Sequence, residues 1–562
     1  MVWVSKRIAT RESVWYNRER GVAGMSFKVN RNDGQFHLND SFYRLSERNK
    51  KFVLKSWAKA FAEVVFPAIN EERFSVLYSE VESSRPNTPV NIVVGGLILK
   101  EWSGLSDDDT IASICCDVRY QYALHTTNLE EQPVSDRTFS RFRERLYAYE
   151  QETGRDLLAE EMASLAEVFA DYMKLTRNLK RMDSMMVSTH SKQMSRLEII
   201  YQVNSNAVRL IHRLGEEELL PQELHHYLEA DDLNRVIYDS RGEEVKPRLE
   251  KALKESEILL EIMKPEEWHG FEEYTHLKRV IKEQGKKNEA GEIIPKENQE
   301  IKPDSMQNPS DPDATYRKKA GEDYKGYTAN LVETVGKNGD SVITDVDFKQ
   351  NTHSDSEFFK EYVESKPEDA PPETVITDGA FDGAENREKA AEKNVTLVTT
   401  SLTGTAPEGI FAKFEMSDDG RTVTACPAGY APEKVTYSEK SGACRVLMCK
   451  NCCANCPHRN ECHAKEQRKN FVVRVSKTTV DRAKYAEGLS GEVMQKLARI
   501  RNAVEGVPSV LRRRYHVDEI PVFGYIRTKM FFRLKVAAYN FGKVLRYSRR
   551  TGAYCAQNQE TA

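Results

Sequence analysis

The sequence predicts an α/β protein built on a mixed sheet flanked by helices. An all-α N-terminal domain precedes the sheet, and a helical and a cysteine-rich insertion interrupt it. Three observations predict this. Helical spacing of apolar residues fills residues 50–150, short apolar runs alternate with helical stretches between about 179 and 400, and seven of the ten cysteines fall between Cys426 and Cys462. With 562 residues the chain is long enough for several domains and a large core.

The first 24 residues are polar and Arg-bearing, either an arm or an extension upstream of a natural start at Met25; residues 1–45 read as an N-terminal arm. Residues 46–150 read as a compact helical domain. Phe52 to Phe66 is one helix by its apolar spacing, Val90 to Leu99 a second, and Ser106-Asp107-Asp108-Asp109 a capping box opening a third. Ser135 is placed to cap a fourth, with Phe139, Phe142 and Leu146 on one face, and Cys115-Cys116 reads as packed core. Residues 151–548 form the main domain. A helix over 155–178 leads into an apolar strand carrying Asp183, and about 192–310 is a charged helical insertion ending in an exposed loop, Glu283 to Pro312. Tyr327 to Val335, the turn Gly336-Lys337-Asn338-Gly339 and Ser341 to Phe348 make a hairpin. A helix at about 355–366, a strand ending at Asp378, a helix from Gly383 and the strand Val395 to Thr400 follow, then the cysteine-rich insertion at about 402–475 and late helices; 549–562 is a tail. Strand, hairpin, helix, strand, helix, strand and late helix is the order of a ribonuclease H-like domain.

Asp183, Asp378 and Glu505 stand out among 87 acidic residues because they fall at a strand, a strand end and a basic helix in that order. Phosphodiester chemistry at neutral pH needs an activated water and a stabilised leaving oxygen, which two divalent ions about 3.5–4 Å apart supply. Mg²⁺ takes hard oxygen ligands and keeps waters, so two or three carboxylates suffice. Arg501 lies four residues before Glu505 and shares its helical face, to orient the carboxylate or hold a phosphate. Arg512 shares that face if Pro508 kinks the helix rather than ending it. Asp313 and His353 are candidates for the cleft edge, and Asp382 for the cap of the next helix.

The net charge of −4 conceals an asymmetry. Phe471 to Arg550 holds 18 Lys/Arg against 6 Asp/Glu, or +12, which leaves −16 for the rest. A basic C-terminal block of this kind can bind phosphates. Its last helix, Ile526 to Arg546, has an apolar stripe at 526, 530, 534, 538, 541 and 545. Arg527, Lys529, Arg533, Lys535, Lys543 and Arg546 cover the other faces and are predicted to add salt-sensitive phosphate affinity. No apolar run reaches the length of a membrane span and no positive-then-apolar leader opens the chain, so the expectation is a cytoplasmic protein without a membrane partner.

Cysteine clustering in a long chain without a leader favours metal over disulfides. Cys453, Cys456 and Cys462 form a C-x2-C-P-x4-C pattern, and Cys426 in Cys-Pro-Ala-Gly supplies a fourth thiolate for a closed structural Zn²⁺ site. Cys444, Cys449, Cys452, His458 and His463 are alternative ligands. Lys450, Arg459, Lys465, Arg468 and Lys469 surround the cluster, within reach of DNA.

The chain resembles the DDE transposases of bacterial insertion sequences, closest to the eleven-eighty-two-like group, from about residue 60 to 548. The marks are Leu105-Ser106-Asp107, Ser135-Asp136-Arg137-Thr138-Phe139-Ser140-Arg141-Phe142-Arg143, Met182-Asp183-Ser184, Asp311-Pro312-Asp313-Ala314, Lys325-Gly326-Tyr327 and Asp378-Gly379-Ala380-Phe381-Asp382. Arg501-x3-Glu505-x6-Arg512 fits the Arg-x3-Glu-x6-Lys/Arg pattern of such families, although Ala498 stands where a Tyr often precedes the Arg. The resemblance implies that Asp183, Asp378 and Glu505 hold two Mg²⁺ (or Mn²⁺). It implies that the helical domain binds double-stranded DNA and that Arg501 and Arg512 touch DNA phosphate. The activity it implies is cleavage at terminal inverted repeats and joining of the freed 3′-hydroxyl to target DNA, by a homodimer at the nucleoid. The cysteine cluster is similar to the family's zinc-bearing insertion. Two other functions fit the same residues: a metal-dependent nuclease without strand transfer, and a non-catalytic, domesticated zinc-bearing DNA-binding protein.

Overall fold

The computed structural model describes residues 25–31, 39–79, 85–128, 134–238, 244–319, 321–401, 407–489 and 491–552. The first 24 residues, and with them the question of a start at Met25, lie outside the described residues, as does the tail from 553. No helix among the described residues is long and apolar enough to cross a membrane.

Helix α1 (Glu47–Lys55) is capped by Ser46 and stops at Ser56, whose hydroxyl accepts from Ala58 N and starts a new turn. The single helix expected over 52–66 is therefore broken, continuing as a π-turn (Phe61–Val65) and a 3-10 turn. A serine hydroxyl offers the backbone this alternative to a continuous ladder. Helix α2 (Val90–Ser103) is apolar all round and buried. Helix α3 (Asp107–Cys116) opens on Ser106 as expected. Helix α4 (Val118–Ala123) follows, then α5 (Thr138–Thr153) and α6 (Leu157–Tyr172). Ser135 does not cap α5: Arg137 holds the cap position without a side-chain bond, and Ser135 bonds Thr138 instead. Of the cysteine pair read as core, Cys115 is half-buried and Cys116 exposed. These helices share one core with Met530, Leu534, Phe541 and Leu545 of the last helix, Tyr525–Thr551.

The central sheet contains β1 (Leu179–Ser188), β2 (Thr315–Lys319), β3 (Glu322–Val335), β4 (Ser341–Gln350), β5 (Glu373–Thr377) and β6 (Val395–Thr399). Its order is β4–β3–β1–β5–β6, with β2 beside the start of β3. Strands β1, β3 and β4 run antiparallel, whereas β5 and β6 run parallel to β1. A central strand with a hairpin on one side and two parallel strands on the other is consistent with a ribonuclease H-like fold. Gly326 takes φ 141°, and a Cβ there would lie 2.4 Å from the Val187 carbonyl oxygen, so only glycine lets β3 close against the end of β1.

The insertion after β1 holds α7 (Arg196–Leu214), α8 (Val245–Ile262) and α9 (Glu272–Gln284) around its own core. Its end is not the exposed loop expected over 283–312. Gly285–Lys287 pairs with Ile293–Pro295, and Ile293, Met306, Asn308 and Asp311 are buried. Helices α10 (Asp355–Glu364) and α11 (Ala384–Glu392) flank the parallel strands. Asp382 does not cap α11; it takes Arg387 bidentately, at 2.6 and 2.8 Å. The cysteine-rich segment is a four-stranded antiparallel sheet, β7 (Lys434–Ser438), β8 (Ala443–Cys449), β9 (Lys465–Glu466) and β10 (Asn470–Ser476), in the order β7–β8–β10–β9. Helices α12 (Lys477–Leu489), α13 (Glu492–Asn502), α14 (Gly506–Tyr515) and α15 (Tyr525–Thr551) complete the chain.

The middle of helix α15 is buried between the helical core and a second core shared with β1, β3 and α14, while Arg527, Arg546, Arg549 and Arg550 are exposed. Of the six cations expected to reach phosphate, Lys529, Arg533, Lys535 and Lys543 are turned inward and paired, whereas Arg527 and Arg546 are exposed. Lys535 pairs with Glu101 at 2.7 Å, Lys529 with Glu150 and Asp156, and Arg533 with Asp156 at 3.1 Å. Lys543 reaches Ser341 at 3.0 Å, and Arg527 lies over the Tyr147 ring. An interior helix can keep such charges only if they are paired.

Candidate active site

Each of the three acids singled out in the sequence sits on a different element. Asp183 is central in β1, half-buried, with its carboxylate accepting from Ser184 N at 3.0 Å. Asp378 follows β5 and caps the 3-10 turn Gly379–Phe381, accepting from Ala380 N at 2.8 Å. Glu505 ends a single 3-10 turn between α13 and α14 and is exposed. The expected continuous helix thus has a joint at the acid itself. Pro508 falls in the first turn of α14, where its missing N–H has no partner to lose.

One side chain joins all three. Arg501 places Nη1 2.6 Å from Glu505 Oε1, and Nη2 3.4 Å from Asp378 Oδ2 and 3.6 Å from Asp183 Oδ1. Its Nε is buried and, among the described residues, has no hydrogen-bond acceptor. Burial pushes the Asp183 carboxyl up to about 6, with the Asp378 charge adding to the rise and Arg501 opposing it. Buried acids of this kind mark candidate functional sites.

Two arginines that bind no carboxylate of the trio hold the strand and helix together. Arg181, two residues before Asp183 on the same strand face, pairs with Glu333 of β3 and donates from Nη1 to the Ile500 carbonyl at 2.8 Å. Ile500 lies in the last turn of α13, where carbonyls lack helical partners. Arg512 donates to Asp518 and to the Met186 carbonyl, at 3.0 and 2.8 Å, while Asp518 accepts from Ser188 N. Arg512 thus anchors β1 through Nε and Nη2, while its side chain stays 40% exposed. The role of Arg181 is not visible in the sequence, where the available signal is a cation two residues before Asp183 on the same strand face.

The carboxylates offer the hard oxygen donors that Mg²⁺ takes, and a single positive group already reaches all of them. The donors are of the chemical kind a divalent ion takes, and the position among them is held by the guanidinium. Among the described residues no group of three or more His, Cys, Asp or Glu is placed around one metal position.

Asp313 and His353 line a different pocket, about 450 Å³, with Lys349, Glu357 and Tyr525. None of the three acids lines it. In the cysteine-rich sheet, Cys426, Cys453, Cys456 and Cys462 line one cavity of about 20 Å³, which His458 also borders. Burial pushes the Cys453 thiol up to about 11, with Cys462, Cys426 and Cys456 contributing. Cys444 is buried away from that cavity and donates to the Arg421 carbonyl. Cys449 and Cys452 do not line it.

Two family models match the chain: Transposase DDE domain, over residues 425–545, and Transposase domain (DUF772), over residues 51–145. The first spans the cavity-lining cysteines together with Arg501 and Glu505, and the second runs from within α1 to the middle of α5. No curated protein and no solved structure matched.

Proposed function

We propose that this chain, parts of which match two transposase domain models, is a bacterial insertion-sequence DDE transposase that cleaves transposon ends and joins them to target DNA at the site formed by Asp183, Asp378 and Glu505. The observation that carries this reading is the convergence of three acids from β1, the end of β5 and the α13–α14 joint on one guanidinium. These three side chains would hold two Mg²⁺ or Mn²⁺, which when bound acidify water and stabilise the leaving oxygen. The protein's own part is placement. Sheet pairing fixes Asp183, the 3-10 turn orients Asp378 through Ala380 N, and Arg181 and Arg512 fix the helices against β1. Partial burial of Asp183 and Arg501 excludes water from the inner side, while Glu505 faces the solvent from which DNA would approach.

In this reading the helical N-terminal domain binds double-stranded terminal repeats, two copies act on paired ends, and the protein works at the nucleoid. Four thiolates, Cys426, Cys453, Cys456 and Cys462, hold a structural Zn²⁺; their shared cavity supports that choice over Cys444, Cys449 and Cys452. The eleven-eighty-two-like group remains the proposed subgroup. Incubation with terminal-repeat DNA, Mg²⁺ and target plasmid tests the function: cleaved ends joined to target support it. Cleavage without joining would favour a nuclease, and DNA binding without either would favour a non-catalytic protein.

A further inference from the structure

The surroundings of Arg501 go further than its pairing with Glu505. We propose that the Arg501 guanidinium is the site's own counter-ion: it fills the position shared by the three carboxylates when no divalent ion is bound, and leaves for a DNA phosphate when one enters. This rests on the reading of Asp183, Asp378 and Glu505 as the metal-holding acids. Three features argue for an exchangeable arginine. Only the Glu505 contact is a close hydrogen bond; the Asp378 and Asp183 contacts, at 3.4 and 3.6 Å, are long. Nε is buried without an acceptor among the described residues, so the inward position leaves one donor unsatisfied that an outward position can satisfy. The carrying helix α13 has no buried residue, so the Arg501 side chain can swing outward while the backbone beside it stays held by the Arg181 bond to the Ile500 carbonyl and by the buried Val504.

The electrostatics give the direction. With Arg501 inside, three carboxylates face one positive charge; a cation entering beside it meets repulsion, and one entering in its place does not. Guanidinium binds phosphate oxygens through paired N–H groups, so DNA offers the displaced side chain a better partner than water. Metal loading and phosphate binding then favour each other, since each relieves the cost of moving the same group. An arginine that only orients Glu505 predicts the opposite: its removal would loosen the acids and weaken metal binding.

The test is Mn²⁺ binding to the full chain, followed by electron paramagnetic resonance of free and bound ion, with and without a DNA duplex. Removal of the internal positive charge in Arg501→Gln is expected to tighten Mn²⁺ binding by about tenfold or more without DNA. DNA is expected to tighten it in wild type but not in the variant. Arg501→Lys, which keeps the charge on a shorter stem, is expected to fall between them and serves if the Gln variant does not fold by circular dichroism. Unchanged or weaker Mn²⁺ binding in both variants, with binding still abolished by Asp183→Asn, would overturn the counter-ion role and leave the metal site standing. Absence of Mn²⁺ binding that depends on Asp183 in any form, with DNA present, would overturn both.

Discussion

Arg181 Nη1 donates to the main-chain carbonyl of Ile500 across 2.8 Å, joining the strand that carries Asp183 to the helix that carries Arg501. Its partner Glu333 is fully buried, so the link belongs to a network that cannot be exposed piecemeal. Arg181→Met leaves Glu333 with Lys543 and Ser341 only. Breaking a buried pair from one side costs about 3–5 kcal/mol. Denaturant unfolding is expected to show a loss of that order. Glu333→Gln with Arg181→Met together should lose less than Arg181→Met alone.

The cations of α15 yield a prediction opposite to their appearance in the sequence. Lys535→Met should lower stability, because it leaves the buried Glu101 with Lys100 on Oε1 and removes the cation on Oε2. It should leave DNA affinity and the salt dependence of binding unchanged, since a phosphate contact would lower the slope by about one. Binding titrations across salt concentrations check this.

Zinc content tests the cysteine cavity independently of catalysis. Metal analysis of the purified chain should give one zinc per chain, lost in Cys456→Ser and retained in Cys449→Ser, because only the former lines the cavity. Chelation should lower the melting temperature, because a metal that binds the folded chain and not the unfolded one adds its binding energy to folding.

His226 gives the helical insertion a pH dependence. Glu255, 3.5 Å from Nε2, and Asp232, 2.6 Å from Nδ1, hold its imidazolium above the ordinary histidine range. A raised folded-state value means the stabilisation is complete below the unfolded value of about 6.5 and is lost as pH rises through the folded one. Relative to His226→Gln, wild type should therefore melt higher at low pH than at pH 8, with the difference shrinking as pH increases.

The three acids were legible in the sequence because each interrupts or ends an element whose type is local: an apolar strand, a strand end, a basic helix. The chain order of β1, the β3–β4 hairpin, β5 and β6 was legible for the same reason, whereas β2 was not. What escaped depends on partners far along the chain. Arg181 matters through Glu333, 152 residues away, and Arg512 through Met186 and Asp518, so neither role shows in local spacing. In α15 the apolar stripe revealed one buried face, but the inward pairing of Lys529 and Lys535 rests on Glu101, Glu150 and Asp156 coming from distant helices. The break at Ser56 was missed because apolar spacing continues through it while the hydroxyl caps a new turn.

The central claim is that Asp183, Asp378 and Glu505 act as one metal-holding unit. The most direct measurement is Mg²⁺-dependent cleavage and joining of terminal-repeat DNA by wild type, Asp183→Asn, Asp378→Asn and Glu505→Gln, with folding checked by circular dichroism. Each variant should lose about 10³-fold or more in rate, and a double variant should be little worse than a single one, as expected for groups acting together. A folded single variant that retains the wild-type rate would contradict the assignment.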